Sequence, residues 1–298
     1  MITKKLVQKV KKANKMNKIT PETIKLMKRK GEKISTITSY DYSTARIVDE
    51  AGIDIILVGD SAAMVMLGYP TTHAINIDEM KIFTSAVARG SKNALIVADM
   101  PFGSYQASIE EGVKNACELI KCGANAVKIE GGSDYIIELT ERLTTQGIPV
   151  MSHLGFTPQF LNTLGGYKVQ AKGFEQTKFI LEQALKLQQA GAFSVVMEMI
   201  SEEAGQYFSE KLDIPVIGIG AGRYTDGQVL VIDDVLGKYK DFTPKFSKKY
   251  ADLNTIINNA VKTYIEEVKT VKFPAENHIF SMQKEEKDKL ENESYINS

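Results

Sequence analysis

Short apolar, β-branched runs recur along the chain at Lys33–Thr38, Ile53–Gly59, Ala94–Ala98, Asn125–Ile129, Ile148–Ser152, Phe193–Met197 and Ile214–Ile219. Each is brief and shows little alternation of apolar with polar positions, the pattern of strands buried on both faces of a parallel sheet. Helix-length amphipathic stretches separate them, among them Ser43–Ala51, Ile109–Lys121, Thr177–Gln189 and Glu202–Lys211. A weaker eighth run, Val229–Ile232, follows Gly227, and a longer helix is predicted over Leu253–Lys269. Seven or eight such units predict an α/β fold of the size of a (β/α)8 TIM barrel. A doubly wound open sheet shares this periodicity and stays open as the alternative.

Three of the units carry the same local signature: Ala51-Gly52 leading to Asp60, Cys122-Gly123 leading to Glu130, and Ala190-Gly191 leading to Glu198. A glycine ends each preceding helix, where a left-handed residue is wanted, and a carboxylate closes the buried strand that follows. Asp99, at the end of ALIVAD, is a fourth case. A carboxylate directly after a buried strand is costly unless paired, protonated or bound to a metal. In a parallel barrel all C-terminal strand ends meet at one rim, where barrel active sites are built. Asp60, Asp99, Glu130 and Glu198 are therefore expected to converge, and with so little histidine the set suits a hard divalent ion, Mg²⁺ before zinc. The plainer alternative is that strand-end acids cap the next helix. Lys128 shares a strand face with Glu130: turned inward it is an anion-binding group, and otherwise a salt-bridge partner that fills the barrel. His153 ends the fifth run and is expected on the same rim, whereas His73 and His278 are assigned no role.

The composition narrows the partners. Of 298 residues, 43% are hydrophobic and 25% charged, and 37 basic side chains balance 37 acidic ones, so no net field steers the chain to nucleic acid or an anionic membrane. No apolar run approaches the roughly 20 residues of a membrane helix. Two cysteines, Cys117 and Cys122, form no disulfide framework and lack zinc-ligand spacing, which fits a reducing, cytoplasmic setting. The ends differ in kind from the middle. Residues 1–18 hold seven lysines and no acid and are expected to be a basic extension, 19–282 the barrel domain, and the polar stretch 283–298 a disordered tail. Gly218–Gly222 has GxGxG spacing at the seventh strand, a poor match to a dinucleotide loop and a better one to close backbone approach at the rim.

Specific strings sharpen the chemistry. TSYDYSTA (38–45), VGDS (58–61), ADMPFGSY (98–105), VKIEGG (127–132), HLGFTPQ (153–159), GGYKVQ (165–170) and IGIGAGRYTDGQVLV (217–231) occur in order. Together they resemble the ketopantoate (3-methyl-2-oxobutanoate) hydroxymethyltransferase family over roughly residues 19–282. The resemblance implies a TIM barrel of the phosphoenolpyruvate/pyruvate type, Mg²⁺ dependence and a cytoplasmic homodecamer. It also implies transfer of a one-carbon unit from 5,10-methylenetetrahydrofolate to 3-methyl-2-oxobutanoate, giving 2-dehydropantoate and tetrahydrofolate. Carried over residue by residue, the metal-linked acids match Asp60, Asp99 and Glu130. The substrate contacts match Asp60, Ser61, Asp99 and Lys128, the catalytic base matches Glu198, and the site histidine matches His153.

That chemistry needs these residue types. The proton next to the ketone is too weakly acidic for a free carboxylate, and a 2-oxo acid chelates Mg²⁺ so that the enolate is stabilised as it forms. The chain departs from the family pattern at Phe83, where histidine is common, at Ala171 for glycine, at Ser201 for proline, and at Ile232–Asp233 for an aromatic-histidine pair. Two rival readings remain: a Mg²⁺-dependent carbon–carbon lyase of the same superfamily, whose cysteine-bearing loop is not found, and a catalytically silent binding barrel.

Overall fold

The computed structural model describes residues 18–239 and 244–293, so the basic extension expected over 1–18 lies almost wholly outside the described residues. The chain divides into two compact units, the first running to Tyr250 and the second from Ala251. In the first unit eight parallel strands close into a barrel in sequence order. They are β1 (Ile34–Thr38), β2 (Ile55–Val58), β3 (Leu95–Asp99), β4 (Ala126–Glu130), β5 (Val150–Gly155), β6 (Ser194–Glu198), β7 (Val216–Ile219) and β8 (Gly227–Leu230). β8 closes on β1 with Thr36 opposite Val229, which rules out the open sheet.

The helices of this unit are α1 (Pro21–Arg29), α2 (Tyr42–Glu50), α3 (Ala62–Val65), α4 (Ile77–Gly90), α5 (Ile109–Lys121), α6 (Asp134–Thr145), α7 (Leu161–Leu164), α8 (Phe174–Gln189), α9 (Glu202–Lys211) and α10 (Ile232–Val235). Their starts follow side-chain capping: Asp41, Asn76, Ser108, Ser133 and Ser201 each accept from a first-turn amide. The helix-ending glycines Gly52, Gly123 and Gly191 adopt φ of +90°, +107° and +95°. Several boundaries differ from the pattern expected; β5, for example, runs on to Gly155, three residues beyond the expected end at Ser152. Helix α8 starts three residues early, at Phe174, behind Gly173, which offers no side-chain cap. β8 ends at Leu230, because the next amides leave the sheet: Val231 is the N-cap of α10, and the Ile232 N–H donates to Thr38 Oγ1 at 3.0 Å.

Alternate strand residues divide between two cores. One cluster joins Ile56, Val58, Ile96, Ala98, Val127 and Ile129 to helix residues such as Met80, Val87 and Leu119. The other gathers Ile55, Leu57, Leu95, Val97, Ala126, Met151, Val196 and Ile217 with Ile24 of α1, filling the barrel interior with α1 against it. Parity then fixes where the next residues point. Lys128 and Glu130 follow Ala126, Asp99 follows Val97, His153 follows Met151 and Glu198 follows Val196, so all five face inward above the packed layers.

The second unit contains α11 (Leu253–Lys269), as predicted, and α12 (Lys284–Glu293). The sequence boundary at 282 thus falls inside the second unit. The stretch expected as a disordered tail is helical over α12 with every residue exposed, and residues 294–298 lie outside the description. No helix among the described residues is long and apolar enough to cross a membrane.

Candidate active site

The strand ends bring the predicted residues together. At the centre the Lys128 ammonium is 3.0 Å from Asp99 Oδ1 and 3.6 Å from Glu130 Oε1, all three side chains being at most 5% exposed. Asp60 begins the β2–α3 turn, and its N–H donates to Asp99 Oδ2 at 3.0 Å. His153 bridges two acids: Nδ1 is 3.3 Å from Glu130 Oε1 and Nε2 is 3.3 Å from Glu198 Oε2. The Glu198 side chain keeps 15% exposure, unlike the other three acids. Ser61 faces the same space. A methyl group added at Gly59 would come within 2.7 Å of Ser61 Oγ and 3.7 Å of Asp99 Oδ2.

Electrostatics follow from burial and proximity. Burial pushes the Asp60 carboxyl well above its usual range, and the charges of Asp99 and Glu130 push it further. Burial also raises Asp99, against the pull of Lys128. Glu130 is likewise penalised by burial, but His153 and Lys128 outweigh this and hold it below its ordinary value. For Lys128, burial opposes the charge, yet Asp99, Glu130 and Asp60 together raise it. Burial and Lys128 both disfavour the imidazolium of His153, but Glu130, aided by hydrogen bonds to Glu130 and Glu198, pushes it up to about 9. Asp60 thus holds its proton more tightly than a free aspartate, while Lys128 and His153 favour the charged forms of Asp99 and Glu130. Lys128 Nζ and His153 Nδ1 are 3.3 Å apart. With the ring protonated this is a contact of two cations bridged by Glu130, not a hydrogen bond.

The donors of this set have the chemistry of a hard-metal site. Asp99 Oδ1 and Glu130 Oε1 are buried and held only by the charged groups of Lys128 and His153, and all candidate donors are carboxylate oxygens. No group of three or more Asp, Glu, His or Cys side chains among the described residues is placed to hold a metal ion by itself. Mg²⁺ does not require such a group, since it is held through one or two carboxylates with waters and substrate oxygens completing the octahedron. The donor chemistry thus fits Mg²⁺.

Several partners were not singled out by the sequence. Gln159 donates from Nε2 to Asp60 Oδ2 and to the Met100 carbonyl, each at 3.0 Å, and from its backbone N–H to Glu130 Oε2 at 3.0 Å. Tyr105 O–H donates to Gln159 Oε1 at 2.6 Å. Buried Tyr40 shares a 2.8 Å hydrogen bond with Ser61 Oγ. His73, given no role from sequence, lies 3.0 Å from the Gln159 carbonyl through Nε2 and stacks edge-on against Phe102. The only sequence signal for Tyr40, Tyr105 and Gln159 was their place inside the ordered strings.

The departures also find structural places. Phe83 packs edge-on to Tyr40, behind Ser61. Ala171 takes the left-handed φ of +50° that favours glycine, and Ser201 donates to its carbonyl at 2.8 Å while capping α9. Ile232 is buried, and buried Asp233 pairs with Lys238 at 3.2 Å.

Comparison with known proteins bears on the fold and the family. Among solved structures, a phosphoenolpyruvate phosphomutase from Streptomyces platensis subsp. rosaceus superposes with a TM-score of 0.56 at 13% identity, covering 93% of this chain and 99% of that one. 2,3-Dimethylmalate lyase, a PEP mutase/isocitrate lyase superfamily member, gives 0.54 at 13% identity over 92% and 98%. These show the barrel type alone. In sequence, the 3-methyl-2-oxobutanoate hydroxymethyltransferase of Syntrophus aciditrophicus is 51% identical over 268 residues, 90% of this chain and 98% of that protein. That of Thermosipho melanesiensis is 54% identical over 257 residues, 86% and 97%. The Ketopantoate hydroxymethyltransferase family profile matches residues 18–276, and with all the matched acids, Lys128 and His153 gathered at one rim, the chain belongs to that family of transferases.

Proposed function

We propose that this barrel joins the methylene carbon of 5,10-methylenetetrahydrofolate to C3 of 3-methyl-2-oxobutanoate, with uptake of water, giving 2-dehydropantoate and tetrahydrofolate. The observation that carries the division of roles is the unequal burial of the four acids. Asp60, Asp99 and Glu130 are sealed around Lys128, whereas Glu198 stays open at the mouth. Asp60, Asp99 and Glu130 would hold Mg²⁺, which when bound supplies a Lewis acid for the ketone oxygen of the substrate.

Lys128 and the Ser61 hydroxyl bind the substrate carboxylate, with Tyr40 fixing the hydroxyl through its 2.8 Å bond. Water cleaves the two C–N bonds of the methylene bridge, freeing the one-carbon unit at the aldehyde level and leaving tetrahydrofolate. Glu198 removes the C3 proton, the released electron pair forms the bond to that carbon, and its oxygen takes up the proton to become the hydroxyl. His153, charged below about pH 9, stands 3.3 Å from Glu198 and orients its carboxylate toward the mouth. A cytoplasmic homodecamer belongs to the same reading, on the strength of family membership.

Proton NMR in D₂O with 3-methyl-2-oxobutanoate and no folate tests the proposal. The C3–H signal should disappear only with Mg²⁺ present, and the exchange should slow by about 10²–10⁴-fold in Glu198→Gln. Adding methylenetetrahydrofolate should produce the hydroxymethyl signal. Undiminished exchange in Glu198→Gln would remove Glu198 as the base.

A further inference from the structure

We infer that Gln159 is a positioning residue that sets the carboxylates of Asp60 and Glu130 for the metal. This rests on the reading of those acids as Mg²⁺ ligands. Gln159 is 4% exposed and lies in the short 3-10 turn Pro158–Phe160 after β5. Its amide orientation follows from its partners. Nε2 faces the Met100 carbonyl and Asp60 Oδ2, each at 3.0 Å, and a carbonyl can only accept. Tyr105 O–H stands 2.6 Å from Oε1, and Gln106 Nε2 approaches it at 3.4 Å. The Glu130 backbone N–H donates to Tyr105 O–H at 3.3 Å, so the single phenolic proton is free for Gln159 Oε1. A flipped amide would set an oxygen against the Met100 carbonyl and a donor against the Tyr105 proton.

One residue therefore grips two of the three acids. The side chain takes Asp60 Oδ2, and the backbone N–H takes Glu130 Oε2 at 3.0 Å. Occupying one oxygen of each carboxylate fixes its rotation, leaving the second oxygen, such as Glu130 Oε1 beside Lys128 and His153, directed toward the cluster. Partners of this kind orient ligands and raise metal affinity, and losing one costs about 10–100-fold in affinity or activity.

The test is Mn²⁺ titration of the full-length protein by EPR, for wild type, Gln159→Met, Tyr105→Phe and Asp60→Asn, paired with the Mg²⁺ dependence of C3–H exchange. Gln159→Met keeps side-chain volume and the backbone bond to Glu130 but removes the donors, and Tyr105→Phe frees the amide to flip. The Mn²⁺ Kd is expected to rise about 10–100-fold in Gln159→Met and by a smaller factor in Tyr105→Phe. The Mg²⁺ concentration for half-maximal exchange should rise in proportion, while exchange at saturating Mg²⁺ returns to within a few-fold of wild type, a recovery that a merely structural role would not show. Unchanged Mn²⁺ affinity in both variants, with binding lost in Asp60→Asn, overturns the role of Gln159 alone. No Mn²⁺ binding by wild type, or unchanged binding by Asp60→Asn, overturns the metal-site reading and the inference with it. Should Gln159→Met not fold, Tyr105→Phe decides by the same criteria.

Discussion

Replacing Lys128 with methionine probes the charge balance of the site most directly. Methionine keeps the apolar stem but removes the cation that lies 3.0 Å from Asp99 Oδ1 and 3.6 Å from Glu130 Oε1. The buried cluster then carries one uncompensated negative charge, and with no solvent to screen it the favoured response is uptake of one proton by a carboxylate. Holding a proton at pH 7 on a group with an unfolded pKa of about 3.9 costs about 4 kcal/mol, at about 1.36 kcal/mol per pH unit. Removing the lysine also removes its own desolvation cost, so about 4 kcal/mol is an upper bound, in line with the roughly 3–5 kcal/mol for breaking a buried pair. At pH 5 the same cost falls to about 1.5 kcal/mol. At about 2–4 °C per kcal/mol for a unit of this size, the melting temperature at pH 7 should drop by about 8–16 °C. Urea unfolding of wild type and variant in EDTA, at both pH values, reads the difference. A deficit that is the same at pH 5 and pH 7, or a variant as stable as wild type, would refute the charge account.

Three further outcomes follow from named contacts. His153 has a folded pKa raised from 6.5 to about 9, so its contribution is fully present below about 6.5 and lost as pH rises through about 9. Metal-free protein should lose about 3 kcal/mol over that window, and His153→Asn should abolish the slope in pH-dependent urea unfolding. Gly155 has φ +89°, and a Cβ there would collide with the Glu198 carbonyl. Gly155→Ala should displace Glu198 and lower kcat/KM by about 10²-fold, with a stability loss of about 1–3 kcal/mol; wild-type kinetics would show that this approach does not position the base. Asp49 of α2 accepts from Ser91 Oγ, Asn93 N, Asn93 Nδ2 and Ala94 N within 3.0 Å, clasping the loop that leads into β3. Asp49→Ala should cost about 3 kcal/mol in denaturant unfolding and leave kcat unchanged, and a loss below about 1 kcal/mol would argue against the clasp.

The parts of this protein legible in its sequence are those fixed by local pattern. A buried parallel strand must end at the rim, so acids directly after the apolar runs had to gather wherever the barrel closed, and Asp60, Asp99, Glu130 and Glu198 do. Strand parity placed Lys128 on the face of Glu130 but could not say which face was interior; that needed the packing of Ala126 among the residues around Ile24. The eighth strand was misplaced by two residues because Val231 and Ile232 are as apolar as strand residues, and only the Thr38 hydroxyl, far away in sequence, draws the Ile232 N–H out of the ladder. Gln159, Tyr105, Tyr40 and His73 lie outside the strands, where neither periodicity nor residue type reports which side chain reaches the rim.

Pattern alone did not distinguish the four acids, and only the family resemblance set Glu198 apart. All four are carboxylates at the ends of apolar strands, equivalent by pattern. They differ because Gln159, just after β5, donates to Asp60 and Glu130 and helps to enclose them, while Glu198 meets His153 and keeps its opening. The loop after β5 thus divides four similar acids into a sealed set of three and one that keeps its opening. Substitutions at Gln159 and at Glu198 should therefore fail differently, the first in metal affinity and the second in proton transfer at saturating metal.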